Sequence, residues 1–394
     1  MIISKCVKCS ISSGLLFFLL YSPFAAYSSG NNNQFSYGGM IKFDAIFSQY
    51  SDSQRAANVG DDFLVPSTIP TGDGSNKGDN VYDSNAKFSR LWFKTITATP
   101  QGEVKSYIEM DFNAGNDERL TNQSSNGLRH AFLQWKNSAS SSLLAGQTWS
   151  TFFNVAALPE AVDFIGPTSG TLFVRQTQFR YSYNLANGKL MLAAENPSIS
   201  LYDGGSGFDS NQVDSSSFPD VIARYDGKAG SFNYSTAAML RDVRYNDGTN
   251  DDSKLGSALT FSAIYSLSNG DDIKFMVSQG HLGRYLALNA YRDGVVEANG
   301  DIELITSFGS YLAYRHFWSD KLRSTFSYAF SNADNPDSTV ADVTKSANNS
   351  NINLMYSPLK KLTFGIEYMQ AQRELESGND GDLTRVQMTS KWVF

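Results

Sequence analysis

The chain has 394 residues, 39 acidic side chains against 32 basic ones, and a net charge of -7. That acidity excludes a nucleic-acid binder, which would show a basic stripe, and the lack of an apolar run near the roughly 20 residues of a membrane helix excludes a helical membrane protein. Tyr 20, Phe 27 and Gly 31 against Pro 10 fit an all-β protein that alternates aromatics with small residues. A mean hydropathy of -0.30 leaves a membrane β-barrel open, because its strands alternate lipid and lumen faces.

Lys5 and Lys8 precede the apolar run Ile11 to Leu20, and Pro23, Ala25, Ala26 and Ser28 follow it. A basic stretch, a short apolar stretch and small residues predict a secretory signal peptide over 1–28, leaving one domain over 29–394. Cys6 and Cys9 have zinc-like spacing but leave with that segment, so the mature chain has no cysteine for a disulfide, a thiolate or a metal, and no lipid-anchoring cysteine. Removal takes two lysines and no acids, and the charge falls to -9.

The first predicted strand, Phe35 to Tyr50, sets Phe35, Tyr37, Gly39, Ile41, Phe43, Ala45 and Phe47 on one face and Ser36, Lys42, Asp44 and Ser48 on the other. After a polar loop, Leu91 and Phe93 alternate with Arg90, Trp92 and Lys94; beyond the turn at Pro100–Gly102, Val104, Ile108, Met110 and Phe112 alternate with Lys105, Glu109 and Asp111. About sixteen such segments follow one another, joined alternately by short turns and long polar loops, the pattern of an outer-membrane barrel. Short turns are expected at Asn137–Ser141, Ala186–Gly188, Asp226–Gly230, Ser268–Gly270, Ser319–Lys321 and Pro358–Lys361, and long loops include Phe152–Gly170, Val243–Ser253, Ser331–Ser346 and Arg373–Asp382. The alternation is clear from Leu255 to Leu267 but blurs at Leu128–Trp135 and Glu303–Trp318, where a bulge or a one-residue slip is expected.

The last stretch, Leu383 to Phe394, puts Val386, Met388, Trp392 and Phe394 on one face and Arg385, Gln387, Thr389 and Lys391 on the other. An amphipathic strand that stops on an aromatic ring resembles the closing strand of bacterial outer-membrane barrels, and it should pair with the first strand to abolish the sheet edge. An even strand count puts both termini on the side of the short turns, and a barrel of this size is wide enough for an aqueous channel.

No HExxH, no GxSxG and no paired His-carboxylate spacing surrounds His130, His281 or His316, so no enzyme, metal or cofactor is expected. A barrel lipase with His130 or His316 beside a strand serine is the minor exception, and Gly204–Gly207 reads as a flexible loop. The informative set is basic. Lys42, Arg90, Lys94, Lys105, Arg129, Arg180, Arg224, Arg241, Arg323, Arg385 and Lys391 should point into the lumen, against the fewer acids Asp44, Glu109, Asp111, Glu195, Asp220 and Glu367. A basic wall focuses field on anions, although facing ladders of Arg and Glu can simply brace the wall. The loop Phe152–Gly170 is too apolar to stand in solvent and is expected to fold back into the pore, with Glu160 and Asp163 facing the basic side across a narrowed eyelet.

Gly146-Gln147-Thr148-Trp149, Pro159, Asp163-Phe164, Gly166-Pro167 and Arg175-Gln176-Thr177-Gln178-Phe179-Arg180-Tyr181 closely resemble the central block of DcaP-like porins, and Ala313–His316 with Trp318–Lys321 is similar too. The resemblance implies an all-β, 16-stranded antiparallel transmembrane barrel with an inward-folded third loop, forming a homotrimer among outer-membrane lipids and passing small anionic solutes such as dicarboxylates. Pore-lining or constriction residues are then expected among Arg90, Lys94, Arg129, Arg175, Arg180, Glu160, Asp163, Gln147, Lys42 and Arg385. Only Ser29–Gln34 stand between the expected cut and the first strand, where the family often carries a heptad-patterned extension, so a coiled-coil trimer is not expected. The alternative function is a surface adhesin or phage-receptor barrel acting through long loops.

Overall fold

The computed structural model describes residues 33–52, 61–117, 123–203 and 216–394. The expected signal peptide and Gly204–Gly207 lie outside the described residues. The wall strands are β1 (Asn33–Tyr50), β2 (Asn80–Asn85 and Arg90–Thr99), β3 (Gly102–Asp111), β4 (Gly127–Lys136), β5 (Ser141–Trp149), β6 (Arg175–Leu185), β7 (Gly188–Glu195) and β8 (Asp220–Ala229). They continue as β9 (Phe232–Asn246), β10 (Asp251–Ser266), β11 (Asp272–Gly280), β12 (Thr306–Phe317), β13 (Leu322–Asp334), β14 (Thr344–Leu359), β15 (Leu362–Leu375) and β16 (Asp380–Val393). The sheet contains 17 hydrogen-bonded pieces. Two of them lie end to end against β1 as the halves of β2, which makes sixteen wall strands.

Each strand pairs antiparallel with its neighbours, and the circle closes where β1 meets β16 in unbroken register from Met40 opposite Val393 to Tyr50 opposite Leu383. Closure leaves the wall no sheet edge, as a hydrocarbon surround demands. The terminal residue extends the seam: the Phe394 amide donates to the Gly39 carbonyl at 3.1 Å. A Cβ on Gly39 would come within 2.9 Å of the Phe394 ring and 2.2 Å of the Arg90 carbonyl, so the position needs a residue without one. Tyr37, Phe93, Phe179, Tyr265, Phe326, Tyr356, Tyr368 and Trp392 are all exposed on the outer surface, as the alternation predicts.

The two blurred segments have different causes. In β4 the register against β3 shifts between Glu109 and Met110, which pair with His130 and Leu128 and pass over Arg129. This bulge buries Arg129 and His130 together, while Leu128 and Leu133 stay exposed. β12 has no bulge: its register runs unbroken against β11 and β13. Its alternation reads poorly because Tyr311 points inward, 3% exposed, into the packed interior.

Three connections differ from expectation. The turn read at Asp226–Gly230 is strand as far as Ala229, because Gly227 makes room for the Tyr234 ring, 2.4 Å from where a Cβ would stand. Val243–Ser253 and Arg373–Asp382 are mostly hairpin, with β9 pairing to Asn246 and β15 reaching Leu375 before β16 starts at Asp380. Their polar residues pair across the strands, as in the Arg244–Asp251 bridge of 2.6 Å.

Inside the extracellular half lies an apolar core made largely of loops. Phe152, Phe153, Ile165, Leu172 and Phe173 of the third external loop (150–174) pack with Tyr202 of the fourth, with Tyr285, Leu286 and Tyr291 of the sixth (281–305), and with Ile222, Met239 and Tyr311 of the wall. Strand Leu201–Asp203 pairs in parallel with Gly294–Val296 and stitches the fourth loop to the sixth. A buried ion cluster ties this plug to the wall: Arg241 of β9 meets Asp220 of β8 at 3.3 Å and also Asp293 of the sixth loop.

Candidate functional site

The third loop leaves β5 and travels along the inner wall in a series of anchors. Arg224 of β8 donates to the carbonyl of Phe153 at 2.8 Å, and Lys274 of β11 donates to those of Ala156 and Leu158 at 3.2 and 2.8 Å. Further along, Glu160 is gripped by Arg323 of β13 through two hydrogen bonds of 2.6 and 2.5 Å, with Arg315 of β12 at 3.6 Å. Burial works to raise the Glu160 carboxyl, but Arg323, Lys391 and Arg315 outweigh it and hold the group below its ordinary value.

The far end of the loop is clasped by Glu367 of β15. Its carboxylate accepts the amides of Val162 and Asp163 at 3.0 and 3.2 Å and the side-chain amides of Asn351 and Asn353 at 2.9 and 3.1 Å. Lys42 of β1 adds a bond to the Val162 carbonyl at 3.2 Å, and Asn349 of β14 accepts from the Ser169 amide at 2.9 Å. The loop therefore covers the wall from β8 round to β16 and β1; along β2–β7 its contacts are fewer, with Thr151 bonded to Gln178 of β6 and Glu195 of β7 and the Phe164 ring 5.5 Å from the Arg129 guanidinium of β4.

This geometry corrects the expected eyelet. Glu160 and Asp163 do not face the basic wall across a gap. Glu160 belongs to Arg323, and Asp163 is 3% exposed, accepting the amides of Leu64, Ile165 and Gly166 at 3.1, 3.0 and 3.1 Å. A carboxylate surrounded by backbone donors serves as an internal cap and offers no charge to a solute.

Among the expected basic lining, several residues brace the wall. Lys42 bonds Asp44 at 2.5 and 2.6 Å, Arg129 binds Glu109 at 2.7 Å and Asp111 at 2.6 Å, and Arg385, 1% exposed, lies against Asp61 and 3.7 Å from Asp163. Gln147 uses its amide on the carbonyls of Leu128 and Arg129, 3.0 and 3.4 Å away, beside the β4 bulge. Arg90 keeps only a long contact of 3.7 Å to Glu109.

Others stay uncommitted. Among the described residues, Lys94 of β2, Lys105 of β3, Arg180 of β6, Lys189 of β7 and Lys391 of β16 have no hydrogen bond or ion pair. Arg175 lies over the Trp149 ring at 5.1 Å with its Nη1 buried and unpartnered. It shares a mouth cavity of about 380 Å³ with Phe63, Asp111, Arg129, Trp149 and Phe164. Lys189 is the member of this set that sequence reading left out, although it is the inward basic residue next to the Ala186–Gly188 turn. The uncommitted cations stand mainly on β2–β7, opposite the loop.

The histidine chemistry is structural. His130 Nδ1 is 3.0 Å from the Thr148 hydroxyl, His281 accepts from the Ser257 amide at 3.0 Å, and His316 is 2.9 Å from Asp271. None of the three is bonded to a serine hydroxyl, so a lipase dyad is not assembled among the described residues. The adjacent carboxylates Asp251 and Asp252 at the start of β10 meet Arg244 and Lys254.

Comparison with known proteins gives the same architecture. The profile of a family described as DcaP outer membrane protein matches residues 25–394. Among solved structures, the outer membrane channel DcaP of Acinetobacter baumannii superposes with a TM-score of 0.77 at 23% identity, covering 92% of this chain and 98% of that one. OmpT of Vibrio cholerae gives 0.56 at 9% identity over 94% and 100%, and a Salmonella typhi OmpF complex with daunomycin gives 0.55 at 12% over 91% and 98%. At these identities the structural likeness carries the fold. No curated protein sequence matches the chain.

Proposed function

Because the chain belongs to the DcaP outer membrane protein family, an outer-membrane channel of Gram-negative bacteria and not an enzyme, we propose that it passes small hydrophilic anions, dicarboxylates among them, by passive diffusion. The mature form begins near residue 29 after signal-peptide removal, and three copies associate through their barrel walls. One solved structure of Vibrio cholerae OmpT is of a trimer form, which supports the assembly by analogy only.

One observation carries the selectivity: the lumenal charge is one-sided. The loop's carboxylates are tied into the wall at Arg323 and into backbone amides, while Lys94, Lys105, Arg180 and Lys189 are in no ion pair or hydrogen bond, with Glu195, Asp226 and Glu103 acting on the last three only from a greater distance. Fixed cations in a narrow, low-dielectric passage concentrate anions and repel cations. Arg90, Arg129, Arg175, Lys42 and Arg385 would contribute field rather than direct contact where they are already paired.

Arg180→Glu combined with Lys189→Glu should move the reversal potential in a salt gradient toward cation preference, with the barrel intact because neither side chain holds a structural bond. An unchanged reversal potential removes both residues from the filter. The loop-borne adhesin reading has no specific observation in its favour, since the sixth loop and the described Ile199–Asp203 of the fourth pack into the barrel.

A further inference from the structure

On the periplasmic side of the Arg90–Glu109–Arg129 belt, the inner face of β2–β4 carries three aromatic rings in a row. Trp92 and Tyr107 stack with centroids 6.0 Å apart at 25°, and Tyr107 and Phe132 are 5.5 Å apart. The register sets Trp92 opposite Glu109, Lys94 opposite Tyr107 and Tyr107 opposite Phe132, so all share the lumenal face of Glu109. The Trp92 ring lies over Gly38 of β1, where an added Cβ would come within 2.5 Å of it. Lys94 Nζ is 5.9 Å from the Trp92 ring, and Lys105 Nζ is 5.4 and 5.2 Å from the rings of Tyr107 and Phe132.

These rings belong to none of the barrel's apolar clusters and are only half-buried. Tyr107 points its hydroxyl at Glu109, 2.6 Å away, which leaves the ring itself beside the lysines. A lumenal wall needs only polar side chains to face water, so a continuous π surface next to two ammonium groups that are in no ion pair or hydrogen bond matches a ligand that carries both a ring and a negative charge.

We propose that this patch is a subsite for monocyclic aromatic carboxylates, the ring lying along Trp92, Tyr107 and Phe132 and the carboxylate held by Lys94 and Lys105. It rests on the anion-channel reading above, and adds a reason for one class of anion to dwell. Ring-to-ring contact gives a benefit that a saturated ring of equal size and charge does not receive, while the lysines attract both alike.

The test is single-channel recording with benzoate and with cyclohexanecarboxylate. Benzoate should interrupt the current with a residence about fivefold longer, and Trp92→Leu with Phe132→Leu should abolish that difference without moving the reversal potential. Equal residence in the unmodified protein overturns the subsite while leaving anion preference standing, and this comparison decides alone if the double variant does not assemble. A difference that persists in the double variant overturns the assignment to these rings. Cation preference in the reversal potential overturns the channel reading beneath it.

Discussion

Replacing Glu367 with alanine should release the third loop from the wall, raising single-channel conductance and adding rapid current fluctuations. The carboxylate is 2% exposed and accepts four donors, two from the loop backbone and two from Asn351 and Asn353. Each buried donor left without an acceptor costs about 1–3 kcal/mol. Water admitted from the lumen recovers part of that, so about 3 kcal/mol of lost stability is expected for the set. Glu367→Gln keeps one carbonyl oxygen but turns a donor toward one loop amide and one asparagine amide, Val162 with Asn353 or Asp163 with Asn351, and should fall between. A quiet channel of unaltered conductance in Glu367→Ala would mean that Lys42, Asn349 and Arg323 hold the loop without the clasp.

The largest loss of stability is expected from Arg385→Ala. Arg385 is 1% exposed, donates from Nε to Ser48 at 2.9 Å, contacts Asp61 and lies 3.7 Å from Asp163. Its removal leaves two buried carboxylates without their cation, a situation that costs about 3–5 kcal/mol. Asp61 belongs to the first loop and Asp163 to the third, so both should loosen together where they cross β16 and β1. Arg385→Lys should restore little, since an ammonium cannot bridge three oxygens as a planar guanidinium does. Thermal melting in detergent measures this, and an unchanged midpoint in Arg385→Ala would contradict the account of how the loops are locked.

Much of the barrel was legible because lipid and water impose opposite demands on alternate residues. β1, β10 and β16 obey that rule with few exceptions, and the final strand could be matched to the first for the same reason. It failed where a loop, not water, lines the lumen. Tyr311 points inward because the third and sixth loops offer it an apolar environment, and no local pattern in β12 announces that. The β4 bulge was visible as a break in the alternation around Arg129 and His130.

The site was less legible than the wall. The apolar run 152–170 correctly suggested a loop in contact with the barrel interior, since its hydrophobic residues had to be buried somewhere. The direction of its carboxylates could not be read, because Glu160 finds Arg323 across 163 positions of chain and Asp163 is capped by amides of its own loop. The same holds for the cations. Whether Arg241 or Arg385 is available depends on Asp293 and Asp61, partners delivered by loops, and sequence spacing carries no trace of them. Braced and uncommitted arginines look alike until the loops are placed.

The measurement that bears most directly on the central claim is the reversal potential of the unmodified channel in a planar bilayer under a salt gradient. The one-sided cationic lining predicts a potential of the sign set by anions crossing faster than cations. A potential of the opposite sign, or no conductance at all, would contradict it.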